Sequence, residues 1–100
     1  MTKMKTLHEI KSIVAQHMDI LKSRYSVKEI GVFGSYVRGN PGGKSDIDIL
    51  VTFRKSVDFI EFLKLEEYLS DLLGLQVDLV TKNALKPYIG RQILKDVVYV

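Results

Sequence analysis

The chain contains no cysteine, which excludes disulfide bonds, thiolate zinc sites, iron–sulfur clusters and a cysteine nucleophile. Its two histidines, His8 and His17, are nine residues apart, a spacing that gives neither a metal-ligand pair nor a catalytic dyad. No apolar run approaches the roughly 18 residues that span a bilayer, and no signal-peptide pattern opens the sequence. We therefore expect a cytoplasmic protein that does not bind a membrane.

Charge is unevenly distributed along the 100 residues, a length that predicts one compact domain over residues 1–100. The net charge is +3, but residues 56–78 carry six acids and one lysine, whereas residues 1–30 carry six basic residues and three acids. Because the sequence has no continuous basic stripe with interleaved aromatics, we expect no stable nucleic-acid binding. The acidic cluster is interpreted most simply as the solvated face of a helix: Asp58, Glu61, Glu66, Glu67 and Asp71.

Hydrophobic spacing and turn residues predict a series of short helices and strands. A capping-box pattern at Thr6 and Glu9 marks the start of the first helix, and Gly74 suits the left-handed position that ends the second. Three glycines and a proline in residues 39–45 indicate a loop. The predicted elements are a helix from Thr6 to about Arg24, a strand Lys28–Phe33, about one helical turn over residues 35–38, a strand Asp46–Phe53, a helix Val57–Leu73, a strand Gln76–Thr81, a helix Pro87–Asp96 and a possible fourth strand Val97–Val100.

The pair Gly34-Ser35 follows directly after the first predicted strand. A glycine there lets a ligand approach the backbone, and the exposed N–H groups at the start of a helical turn favour a phosphate. The Ser35 hydroxyl can add one more hydrogen bond. Without further residues, however, the same pair is as well explained by an ordinary turn.

Three aspartates in the later strands favour a metal site. Asp46 and Asp48 are two residues apart, so a strand points both carboxylates to one side, where Mg²⁺ would offset their repulsion. Exposed acids on an edge strand are the alternative. Asp78 interrupts an otherwise apolar strand, so its carboxylate faces either solvent or a compensating group. If the two strands are neighbours, the three carboxylates converge as ligands for two metal ions in a phosphoryl transfer.

These residues resemble the DNA polymerase β-like nucleotidyltransferase superfamily, and its minimal, MNT-type branch in particular. The resemblance rests on Gly34-Ser35, ten intervening residues and Asp46-Ile47-Asp48, with Arg38-Gly39, Ser45 and Asp78 also as expected. It covers most of the chain. It implies an α+β fold, with a small mixed sheet that helices cover mainly on one face and that stays open to ligand on the other.

The resemblance also implies roles for single residues. Gly34 and Ser35 would bind the β- and γ-phosphates of a nucleoside triphosphate, Asp46 and Asp48 would ligate two Mg²⁺ ions, and Asp78 would complete the metal and catalytic site near the attacking hydroxyl. Arg38, placed with the nucleotide-binding residues, could contact a phosphate bidentately or brace the loop by pairing with an acid, and both interpretations remain open.

Members of this branch are typically antitoxins that act beside a HEPN-type protein and add AMP to its tyrosine. We therefore expect a Mg²⁺-dependent nucleotidyltransferase that moves AMP from ATP to a hydroxyl of a HEPN-type partner. The alternative is a catalytically silent antitoxin or regulatory subunit that occludes its partner, for which the apolar tail Val97–Val100 could supply the contact. A domain of this size also allows a homodimer.

Overall fold

The structure, a computed structural model, describes residues 6–34, 37, 46–84 and 87–100, except for the side chains of residues 46, 83, 87–90 and 92. Its elements run in the order α1 (Leu7–Gln16), α2 (Met18–Arg24), β1 (Val27–Phe33), β2 (Asp46–Phe53), α3 (Phe59–Leu73), β3 (Gln76–Thr81), a 3₁₀ turn (Lys82–Ala84), α4 (Pro87–Asp96) and β4 (Val98–Tyr99). This mixture of helices and strands is the α+β class that the sequence predicts.

The amino-terminal helical segment is broken at His17, so the prediction of one continuous helix to Arg24 is wrong. The His17 Nδ1 atom lies 2.8 Å from the carbonyl oxygen of Ile13, and it must donate because a carbonyl can only accept. The backbone N–H of His17 donates instead to the Val14 carbonyl at 3.0 Å. The ring thus competes for the carbonyl that an α-helix would pair with the backbone, and the chain turns into α2.

The four strands form one mixed sheet in the order β3-β2-β1-β4. β1 is antiparallel to both β2 and β4, whereas β2 and β3 run parallel. The parallel pair follows from the connection through α3, because a crossover helix returns the chain to the same end of the sheet. The tail predicted as a possible strand does pair with β1, through Val98 and Tyr99.

The core lies on one face of the sheet, where alternate strand residues meet α1, α2 and α3. The buried residues of these helices are Ile10 and Val14 of α1, Leu21 of α2, and Leu65, Leu69 and Leu73 of α3. They pack against buried strand residues that include Ile47, Ile49, Val51, Val77 and Leu79. Residues between these strand positions, Asp48 and Asp78 among them, therefore face the other side of the sheet.

The helix α3 begins at an aspartate cap. The Asp58 Oδ1 atom accepts the backbone N–H of Glu61 at 2.7 Å, so the helix starts at Phe59, two residues later than predicted. At the other end Gly74 has φ 67° and closes the helix in the left-handed conformation, as expected. Among the helices within the described ranges, none combines the length and apolarity that crossing a membrane would require.

Candidate active site

Gly34 follows the last residue of β1 and lies directly beside Asp48. Its φ is 79°, in the left-handed region that glycine adopts without strain. A Cβ atom at this position would collide with Oδ2 of Asp48 and lie 3.2 Å from its Cγ. The structure thus gives Gly34 a role that the sequence did not suggest, because the glycine makes room for a carboxylate as well as for a ligand.

Asp48 and Asp78 are neighbours in the sheet. They are register partners in the parallel ladder between β2 and β3, so their side chains leave the same face about 4.8 Å apart along the sheet. Asp48 is half-buried and Asp78 is exposed. The prediction that Asp48 and Asp78 converge required their two strands to be neighbours, and β2 and β3 are neighbours.

Carboxylate oxygens on adjacent positions suit a hard divalent cation such as Mg²⁺, which would offset their mutual repulsion. Among the side chains that the structure describes, no group of three His, Cys, Asp or Glu residues is arranged to bind a metal ion. The third predicted ligand is Asp46. It is the first residue of β2 and pairs with Gln76, but its side chain is outside the described part of the structure. Asp48 and Asp78 therefore fit as two of the ligands, and the complete set stays a prediction.

Other predicted nucleotide-binding residues also fall outside the described ranges. Ser35 and Arg38 both do. Of the residues that are described just after β1, Val37 donates its backbone N–H to the Gly34 carbonyl at 3.1 Å. That bond spans three residues, the spacing of the helical turn that we predict after Gly34.

One acidic residue of α3 does not belong to the solvated face to which we assigned it. Glu66 is half-buried, and its Oε2 atom accepts the backbone N–H of Leu79 at 3.0 Å. The position of Glu66 on the helix explains its burial. Glu66 follows Phe62 by four residues and precedes Leu69 by three, which places it in the apolar stripe of α3. A charged residue within such a stripe indicates a side chain that makes a hydrogen bond inside the protein.

A separate cavity of about 600 Å³ opens at the carboxyl ends of β2 and β3, away from the ends where Asp46 and Gln76 begin the strands. Its lining is mainly apolar and includes Phe53, Val57, Phe62 and Leu79. The sequence analysis did not identify this cavity, since it forms only where strand ends and the start of α3 meet.

Comparison with known proteins assigns the chain to a family. The model of the nucleotidyltransferase domain family matches residues 14–100. The chain is 54% identical over 97 residues to protein adenylyltransferase MntA of Thermococcus cleftensis, which covers 97% of this chain and 98% of that relative. A Methanocaldococcus jannaschii protein whose name also gives protein adenylyltransferase is 55% identical over 98 residues, or 97% of this chain and 100% of the relative.

A solved structure agrees with the fold. The crystal structure of a toxin–antitoxin with AMP-PNP matches at a TM-score of 0.73 and 25% identity, covering 89% of this chain and 70% of that chain. Family model, relatives and fold thus agree on a nucleotidyltransferase with a small mixed sheet. The chain belongs to the nucleotidyltransferase domain family and is a nucleotidyltransferase enzyme similar to MntA.

Proposed function

We propose that this protein is a Mg²⁺-dependent protein adenylyltransferase that moves AMP from ATP to a hydroxyl group of a HEPN-type toxin, for which it is the antitoxin. The observation that supports it most directly is the pairing of Asp48 with Asp78 on the face of the sheet opposite α1, α2 and α3, beside Gly34. The relatives named for protein adenylyl transfer are more than half identical to the chain, and a toxin–antitoxin with AMP-PNP has the same fold.

In this reaction the acceptor oxygen attacks the α-phosphorus of ATP, the bond between that phosphorus and the α,β-bridging oxygen breaks, and pyrophosphate leaves. Asp46, Asp48 and Asp78 would hold the Mg²⁺ ions, which neutralise phosphate charge and align the in-line attack. Asp78, the exposed member, would lie nearest the incoming hydroxyl and could accept its proton. Gly34 and Ser35 would bind the β- and γ-phosphates, with Arg38 as a further phosphate contact or a loop brace.

An apolar surface on α3 is consistent with a protein as the acceptor. Phe59, Ile60 and Leu63 are 69%, 59% and 39% exposed. Contiguous exposed apolar side chains of this kind commonly mark protein contacts. The tail considered for occlusion is paired with β1 through Val98 and Tyr99, and Tyr99 stays exposed.

The test is transfer of label from ATP carrying ³²P at the α-phosphate, with Mg²⁺ and a lysate of the source organism. Asp48→Asn removes a predicted metal ligand, so we expect at least about a 10³-fold loss of labelled acceptor. Asp71→Asn is the matched control, because it makes the same charge change at an exposed position of α3 outside the site.

A labelled protein with the wild type and Asp71→Asn, but not with Asp48→Asn, would support the proposal. Equal labelling with Asp48→Asn would overturn the assignment of the site. Lack of label in every lane, together with a stable complex between the chain and a co-purified HEPN-type protein, would favour the occlusion hypothesis.

A further inference from the structure

Two side chains of α3 bind the outer edge of β3. β3 is a terminal strand in the sheet order, so its N–H groups that face away from β2 have no strand partner among the described residues. The Ser70 Oγ atom accepts the N–H of Val77 at 3.1 Å, and the Glu66 Oε2 atom accepts the N–H of Leu79 at 3.0 Å. The helix thereby takes the place of a further strand at this edge.

The two acceptors are linked to each other. They are four residues apart, one turn of α3, and both are half-buried. The Ser70 hydroxyl donates to the Glu66 carbonyl at 2.9 Å, which uses its single proton and leaves its lone pairs for the N–H of Val77. The bond to Glu66 is charge-assisted when its carboxylate is ionised, and such bonds are among the stronger ones in proteins.

The residue between the two bound amides is Asp78. Its own position in the ladder is opposite Asp48, so the contacts with α3 fix the backbone on both sides of a predicted metal ligand. We propose that Glu66 and Ser70 are positioning residues that hold Asp78 in register with Asp48 for binding of the divalent cation. The inference rests on the proposed function, since it assigns the two residues to the same site.

The physical need for such a contact follows from charge. Two carboxylates on adjacent strands repel each other, and repulsion across a pair of strands destabilises their pairing. β2 is paired on both sides, with β1 and β3, and cannot move away. Within the described ranges β3 pairs with a strand on one side only, so α3 adds to the restraint that its ladder with β2 provides.

The first experiment measures the Mg²⁺ concentration that gives half-maximal AMP transfer, together with kcat and KM for ATP. Glu66→Ala removes the acceptor, and we expect the half-maximal Mg²⁺ concentration to rise about tenfold, as is typical when a partner behind a metal ligand is lost. Glu66→Gln keeps an acceptor oxygen and should restore most of the difference. The exposed Glu67 provides the control Glu67→Ala, which should leave the Mg²⁺ requirement unchanged.

The second experiment does not depend on transfer. Mn²⁺ is titrated into ¹⁵N-labelled protein, and paramagnetic broadening of the Asp48 and Asp78 amides gives the apparent affinity, while hydrogen exchange at Val77 and Leu79 reports the contacts with α3. Ser70→Ala should weaken Mn²⁺ binding and speed exchange at Val77. Ser23→Ala is its control, because the Ser23 hydroxyl makes the same bond to a carbonyl four residues earlier, that of Asp19, at 2.7 Å.

The outcomes separate the inference from the proposed function. Faster exchange at Leu79 in Glu66→Ala with unchanged Mn²⁺ and Mg²⁺ dependence would overturn the positioning role and leave a structural one. Wild-type protein that binds Mn²⁺ at Asp48 and Asp78 but transfers no AMP would contradict the proposed function alone. If Glu66→Ala does not fold, Ser70→Ala and Glu66→Gln test the same contacts.

Discussion

The two faces of the β2–β3 pair differ sharply although they alternate along the same residues. On the core face Ile47, Ile49 and Leu79 are 0%, 0% and 5% exposed. On the other face Asp48 is half-buried and Asp78 is exposed. Because a strand points successive side chains in opposite directions, each aspartate is flanked in sequence by residues of the core. Stability and the proposed chemistry therefore depend on residues that are adjacent in sequence but lie on opposite faces of the sheet.

The two faces are also held in different ways. The core face is covered by α1, α2 and α3, whose apolar side chains close it from water. The face with the carboxylates includes the buried Leu50, and at its borders lie the left-handed Gly34 beside Asp48 and the bonds from α3 side chains to the backbone of β3. Substitutions on the two faces should consequently change different measurable quantities.

The largest effect on stability is expected from Ile49→Ala on the core face. Ile49 is fully buried, and truncation of such a side chain costs about 3 kcal/mol in the free energy of unfolding. Urea denaturation followed by circular dichroism measures that loss. AMP transfer per folded molecule, assayed well below the unfolding midpoint, should stay within a few-fold of wild type, whereas Asp48→Asn next to it should abolish transfer. Equal loss of transfer in both variants would contradict the separation of the faces.

A smaller loss of unfolding free energy is expected from Gly34→Ala, which should also reduce AMP transfer. The left-handed φ costs an alanine about 1–2 kcal/mol, and its Cβ would also force the Asp48 carboxylate to move. Gly74→Ala is the control, since Gly74 has φ 67° and ends α3. Both variants should lose similar free energy of unfolding, but Gly34→Ala alone should lose transfer activity. Full transfer by Gly34→Ala would show that Asp48 tolerates the displacement.

Much of this fold follows from local patterns in the sequence. The limits of β3 and α4 are as predicted, because both are set by turn residues and by proline at a first helical position. The break at His17 was not predictable from periodicity, since it arises when one ring competes with the backbone for the Ile13 carbonyl. The strand order could not be deduced from spacing either, because pairing between β2 and β3 is a non-local contact.

For the candidate site, the spacing of Asp46 and Asp48 predicts that both face one side of a strand. The adjacency of Asp48 and Asp78 depends on the register of the sheet, which the spacing does not give. The contact from Glu66 to Leu79 joins a helix to a strand, whereas the sequence alone predicts that Glu66 lies on a solvated helix face. Charged residues within an apolar helical stripe are the pattern by which such contacts can be anticipated.

The smallest effect expected is the stabilisation of the folded chain by Mg²⁺, and it tests the carboxylate face directly. A cation that binds only the folded state adds about 1.4 kcal/mol when its concentration is ten times its Kd. The thermal unfolding midpoint should therefore rise with MgCl₂ relative to KCl at equal ionic strength. Asp78→Asn should lose most of this increment, and the exposed Asp71→Asn should keep it. Ile49→Ala should unfold at a lower temperature but show the same increment, because its side chain faces the core. An increment that survives in Asp78→Asn would place the cation elsewhere and remove the distinction between the two faces as we draw it.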